Sequence, residues 1–273
     1  MLLKNRKKRL CCFTLLELLV SMGVFAILML ALMQFFTSAQ SIWTRSNTRY
    51  DMYDNARLAL NLMATDLQCL YYDDDKTNAK YFDVSGNDDK WTLSLATQRS
   101  DSSSACTSLV LVYYQYDKAE GTLKFKQVTD YDADNNNKQW ITSDSGSGAL
   151  SACQDLGTEL DKSPVLAENI VNFPVPTCQY LPQAGAKKYV IGTPDAPPNN
   201  IPIPQRVILS MTLIDSDTRK KLTPILASHE KDFKDVHGIA IKKEEDLKDW
   251  EKPIADLAKQ SIQTFVQAVS IDR

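Results

Sequence analysis

The chain has 273 residues, 44% of them hydrophobic, with 31 Lys and Arg against 34 Asp and Glu and a formal charge of −3; that length suits one ordinary globular domain plus an anchor and is marginal for two domains. Five positive charges, Lys4, Arg6, Lys7, Lys8 and Arg9, fall in the first nine residues, and without them 26 basic residues face 34 acidic ones, a net of −8. So acidic a body offers few cations to phosphate, and nucleic acid is excluded as an expected partner.

Behind the basic cluster, Phe13 to Phe36 is a run of 24 residues in which only Glu17 is ionisable. As a helix it reaches roughly 36 Å, enough to cross a hydrocarbon core. Basic residues ahead of a span keep that end in the cytoplasm, so the body is expected to be translocated. A secretory signal peptide is the competing reading, and "FFTSAQ" (Phe35–Gln40) offers a small-residue cleavage site. Its apolar core would be only about 7–15 residues, however, and it gives no reason for an acid. An ionisable group inside a span is costly and is a functional hypothesis by default; the plainer account is a Glu near the membrane edge that snorkels to the headgroups.

"CFTLLELLVSM", Cys12 to Met22, closely resembles the processing and methylation motif of type IV pilins and type II secretion pseudopilins. In that family a basic leader ends in Gly, Phe follows, and a Thr-Leu-Leu-Glu run opens an apolar helix; here Cys12 stands in place of the Gly. The resemblance implies a leader over residues 1–12, cleavage between Cys12 and Phe13 by a prepilin peptidase, and N-methylation of Phe13. It implies a membrane-spanning and filament-core helix over 13–36, and it makes Glu17 the partner of the new α-amino group of a neighbouring subunit. Such a pair is costly to break in low dielectric yet unfavourable to form against water, so it selects register more than it adds stability.

Beyond the span, Tyr53, Ala56, Leu60, Met63, Leu67 and Leu70 recur at spacings of three and four, one stripe of an amphipathic helix. Asp51, Asp54, Asn55, Asn61 and Asp66 lie off it, and no Pro or Gly interrupts the chain between Gly23 and Tyr72. One helix from Phe13 to about Tyr72 is predicted, its amphipathic part over 37–72 packing on a sheet of the body.

The body, 73–273, opens with a polar connection, Tyr71 to Asp89, and then reads as strands: Trp91–Thr97, Ser108–Asp117, Gly121–Asp130, Pro164–Pro176, Pro204–Asp215 and the carboxyl-terminal "TFVQAVSIDR". "DKAEG" between the second and third is a hairpin signal. A short helix is predicted at about Lys252–Ser261. The fold class is α+β, a long amino-terminal helix on an antiparallel sheet, pilin-like.

Within the family, "LVYYQYDKAEGTLKFK", "VLAENIVNF", "PQRVILSMTLID" and the terminal "FVQAVSI" are similar in kind and order to segments of the J-type minor pseudopilin. Three insertions depart from that pattern: "DADNNNKQWITSDSGSGALSACQDLGTELD", "TPDAPPNNIPIP" and "HEKDFKDVHGIAIKKEEDLKDWEKPIADL". The resemblance implies a structural subunit near the tip of a pilus-like filament that helps to initiate assembly and protein export. Its partners would be I- and K-type minor pseudopilins and the major pseudopilin, and its place the inner membrane, with the amino terminus cytoplasmic and the body periplasmic. A minor pilin of a type IV pilus or DNA-uptake filament is the alternative within the class; a membrane-tethered enzyme or binding module is the alternative outside it.

Cys11 and Cys12 belong to the leader, whereas Cys69, Cys106, Cys153 and Cys178 remain in a body expected in an oxidising compartment, so one or two disulfides are expected with three connectivities open. No C-x-x-C pair or nearby His suggests zinc. Asp130, Asp132, Asp134 and Asn136 alternate like the start of a calcium loop, but Asn135 and Ile141 stand where Gly and an acid are needed, and a solvated turn is the default. Calcium is thus a weak candidate and no other cofactor is expected. His229 and His237 sit in polar surroundings and are expected to be solvated; without a nucleophile, metalloprotease or phosphate-loop motif, no enzyme activity is expected.

Overall fold

A computed structural model describes residues 14–71, 82–100, 107–129, 163–180, 190–192 and 204–271. The chain divides into two compact units, Met1–Arg49 and Tyr50–Arg273. Helix α1, Leu15–Gln68, is 54 residues long and bridges the division, so the predicted uninterrupted helix forms and ends four residues before Tyr72. In the first unit it is apolar and uncovered: Leu16 is 72% and Phe25 60% exposed. By length and composition it is able to cross a membrane.

In the second unit the middle of the stripe is buried, whereas Tyr53 at its start is exposed and Leu70 at its end is half-buried. Ala56, Leu60, Met63 and Leu67 join Met52, Ala59 and Ala64 in one hydrophobic cluster with residues of both sheets. Asp51, Asp54, Asn55 and Asn61 are exposed. Asp66 departs from the sequence reading: it is only 2% exposed, and the Tyr114 hydroxyl donates to its Oδ2 at 2.5 Å. A buried carboxyl needs a partner, and the sheet supplies it. After α1, Leu70 bridges Thr97, and the Gln98 N–H donates to the Cys69 carbonyl at 3.0 Å, so the helix runs directly into a sheet edge.

The first sheet has five antiparallel strands in chain order, β1 (Phe82–Gly86), β2 (Lys90–Ser100), β3 (Thr107–Asp117), β4 (Thr122–Thr129) and β5 (Val165–Ala167). β1 falls inside the stretch read as a polar connection. Its apolar alternation is only Phe82 and Val84, both buried, too short to outweigh the turn residues that follow. Gly86 at φ +110° and Asn87, whose Oδ1 accepts from the Asp89 and Lys90 N–H groups, make the β1–β2 turn. The expected β3–β4 hairpin is present, with Asp117 opposite Thr122. The Asp117 carbonyl accepts from the Gly121 N–H at 2.8 Å and its Oδ1 accepts from the Ala119 N–H. Gly121 sits at φ +66°, where a Cβ would stand 2.9 Å from the Ile170 carbonyl and from the Phe233 ring.

The segment read as one strand, Pro164–Pro176, is two strands that serve different sheets. β5 pairs with β4, whereas β6 (Ile170–Asn172) pairs with β9 (Arg206–Leu213) of the second sheet. Between them Asn169 takes φ +62°, a left-handed conformation that Asn tolerates better than most residues, and this turns the chain from one sheet to the other. The second sheet runs β10 (Gln263–Ser270), β9, β7 (Thr177–Tyr180), β8 (Val190–Gly192), with β6 beside β9. The body therefore holds two antiparallel sheets where sequence suggested one.

Three α-helices lie between β9 and β10: α2 (Ser216–Ala227), α3 (Asp235–Ile241) and α4 (Lys252–Ser261). Only α4 was expected. Asp215, read as the end of a strand, is the N-cap of α2 and accepts from the Thr218 N–H at 2.8 Å. Leu222, Leu226, Val236, Ile239, Ile254 and Ala258 form a second hydrophobic cluster that includes Val171 and Ile214.

Candidate assembly site

The acid that singled out the first unit is part of a hydrogen-bonded helix start. The Thr14 N–H and hydroxyl each donate to Glu17 Oε2 at 3.1 Å, and the Glu17 N–H donates to Thr14 Oγ1 at 3.3 Å. The Leu18 N–H bonds the Thr14 carbonyl at 3.2 Å, the first bond of α1. Thr14 is therefore the N-cap and Glu17 the third helical residue, a reciprocal capping box. The first N–H groups of a helix have no internal partner, and in hydrocarbon each unmet one costs several kcal/mol by order of magnitude. The box satisfies two donors, and the carboxylate sits at the positive end of the helix dipole. From the sequence Glu17 was read as a charge for a neighbouring subunit or as a snorkelling acid; the Thr-x-x-Glu spacing was the local signal for the capping box.

Cys12 and Phe13, the expected cleavage pair, lie outside the described residues. So do Cys106 and Cys153, and the calcium candidates Asp130, Asp132, Asp134 and Asn136. Among the described residues there is no cluster of three or more His, Cys, Asp or Glu that could hold a metal. Cys69 and Cys178 are free thiols, the first exposed and the second buried, so the pairing of these two with each other is absent. Burial pushes the Cys178 thiol up to about 12.

The β3–β4 turn is fastened to the helical segment. One Arg219 nitrogen donates to Asn169 Oδ1 at 3.0 Å and another to the Glu120 carbonyl at 2.7 Å, while the guanidinium lies 4.4 Å from the Phe233 ring centroid. Two bonds and a ring face in one planar group tie the hairpin, the sheet crossing and α2 together.

The two histidines differ from each other and, in one case, from expectation. His229 is exposed and stacks on Trp250 with ring centroids 4.5 Å apart. His237 is half-buried: its Nε2 lies 3.3 Å from Asn172 Nδ2, and its Nδ1 has no hydrogen-bond partner among the described residues. Burial first, and the charge of Lys118 second, hold its pKa below the ordinary histidine value. Both depend on helix packing that a polar local sequence does not display. His237 sits where α3 packs on β6.

Comparison with protein-family models, with curated proteins and with solved structures finds no match for this chain.

Proposed function

We propose that this chain is a minor pseudopilin of the J-type kind, a structural subunit near the tip of a pilus-like filament of a type II secretion system. One observation carries the reading: a single helix whose uncovered apolar half begins with one acid, and whose other half is the backbone of an antiparallel body. Leu15 to Phe36 requires an apolar surround that the described residues do not provide. Lipid supplies it before assembly, and neighbouring helices supply it within a filament.

On this reading prepilin peptidase cuts before Phe13 and the new α-amino group is methylated. Glu17 then has two tasks. Its Oε2 closes the helix start against Thr14, and its charge pairs with the amino terminus of the adjacent subunit. The amino end faces the cytoplasm before processing, and the body lies on the far side of the inner membrane against I- and K-type minor subunits and the major one. The chain performs no chemistry and is itself the peptidase's substrate.

Mass spectrometry of the mature amino terminus in the native host tests this. A chain that begins with methylated Phe13 supports the proposal; one that begins at Met1 or near Gln40 overturns it. Glu17→Ala and Glu17→Gln separate the two tasks, because Gln still fits a capping box but carries no charge. Charge pairing requires both variants to be excluded from filaments, and normal incorporation of Glu17→Gln removes it.

A further inference from the structure

We propose that Ile42, Trp43 and Arg45 anchor α1 in the headgroup layer of the leaflet next to the body, with Arg45 on a phospholipid phosphate. The inference rests on the membrane-anchored state of the reading above. All three side chains lie in the first unit and are exposed, Ile42 at 68% and Trp43 at 71%. Length along the helix sets their height. At ~1.5 Å per residue, Leu15 to Phe36 rises roughly 33 Å, about the thickness of a hydrocarbon core, and each headgroup layer adds about 5–7 Å. The Cα of Trp43 stands roughly 10 Å beyond that of Phe36. Helical side chains lean toward the amino end and cover the turn before their own Cα. An indole at 43 therefore overlies Ala39–Ile42, roughly 5–9 Å beyond Phe36, which is headgroup height. The long stem of Arg45 lets its guanidinium approach the same depth from the water side.

The chemistry of this band selects lipid. Thr37, Ser38, Ala39 and Ser41 are small and leave room beneath the indole. The Thr37 hydroxyl donates to the Gln34 carbonyl at 2.9 Å and the Ser41 hydroxyl to the Ser38 carbonyl at 2.8 Å, so both donors are satisfied at the hydrocarbon edge. Between Glu17 and Asp51 the only charged side chains are Arg45 and Arg49. Ser41, Ile42, Thr48 and Arg49, three and four residues from Arg45, offer it no acid. A phosphate fits the guanidinium fork with two parallel bonds. An indole, apolar in body with one N–H donor, suits the boundary between acyl chains and headgroups. A second copy held by the same span meets this band with the same cations at the same height and supplies no countercharge.

Such an anchor fixes how deep the helix sits, as interfacial aromatic and basic residues do in general. The five cations of the leader hold the opposite end only until residues 1–12 are removed. Thereafter the band at 42–45 sets the depth of the span, and with it the depth at which Glu17 is presented.

The test uses the full chain, purified from host membranes and reconstituted at high dilution in vesicles of phosphatidylethanolamine and phosphatidylglycerol. Subtracting the fluorescence of a matched Trp43→Phe chain isolates the signal of Trp43. Acyl chains brominated near the headgroup should quench that signal at least about twofold more than chains brominated near the bilayer centre, with iodide in the water a weak quencher. Arg45→Glu should raise iodide quenching about twofold or more, whereas Arg45→Lys, which keeps the cation, should stay close to the parent. Strong iodide quenching of the parent, stronger quenching from the bilayer centre, or shielding from both bromine and iodide overturns the proposal, the last because it means a protein cover. Equal behaviour of Arg45→Glu and Arg45→Lys removes the phosphate contact and overturns it too. Trp43 at headgroup depth in a chain whose Phe13 is never processed in its host leaves the anchor and sinks the filament reading. Methylated Phe13 with Trp43 open to iodide does the reverse, and a chain that does not float with the vesicles sinks both.

Discussion

Tyr114→Phe removes one oxygen from the contact that holds α1 to the first sheet. Tyr114 is fully buried and Asp66 is 2% exposed, and their bond spans 2.5 Å. The ring stays, so its packing on Phe125 at 5.3 Å and its buried apolar area are retained. What is lost is a short hydrogen bond to a buried carboxyl, about 1–3 kcal/mol. For a body of this size, 2 kcal/mol corresponds to a fall in Tm of about 4–8 °C. The measurement is thermal unfolding of the full chain in detergent, followed by near-ultraviolet circular dichroism and by the fluorescence of the tryptophans, Trp91 among them, 1% exposed and bonded to the Phe173 carbonyl. A cycle with Asp66→Asn should return a coupling energy of about 0.5–3 kcal/mol, as expected for side chains in direct contact. A change below about 0.5 kcal/mol for Tyr114→Phe, the size of an ordinary surface substitution, refutes the assignment of this bond as a tie between helix and sheet.

Arg219→Ala should destabilise the body by about 1–3 kcal/mol and speed amide exchange at Asp117–Gly121, and Arg219→Lys should not restore protection, because a point charge cannot make both bonds and cover the Phe233 face. His237 is held neutral by burial in the folded chain, so its folded pKa lies below the unfolded value of 6.5. Its contribution to stability is therefore complete above pH 6.5 and is lost as pH falls from there through the folded pKa; His237→Gln should flatten that part of a stability-against-pH curve. In native protein near pH 8 an alkylating reagent should modify Cys69 and leave Cys178 untouched, since the first is exposed and the second is buried with its thiol pushed up to about 12. Peptide mass spectrometry reads both sites, and rapid modification of Cys178 contradicts its burial.

Long-period patterns were legible in the sequence because they report on one large interface each. The stripe Ala56, Leu60, Met63 and Leu67 predicted the buried face of α1, and "LVYYQYDKAEGTLKFK" predicted the β3–β4 hairpin at its observed turn. Short elements were not legible. β1 has two buried apolar residues ahead of a turn, and β7 and β8 have four and three residues, too few for periodicity to stand out. α2 and α3 each bury a single face against α4 in a polar, charge-rich segment.

Sequence by itself determined the apolar helix with its lone acid, the amphipathic continuation and the α+β order, because these depend on local spacing and on the cost of burying charge. Tertiary structure alone decided that Asp66 turns inward to Tyr114, that Asn169 divides one apolar run between two sheets, and that Arg219 ties the β3–β4 hairpin to α2. Each of these depends on which distant backbone or side-chain group arrives to satisfy a polar atom, and a one-dimensional pattern of apolar and polar residues does not record that.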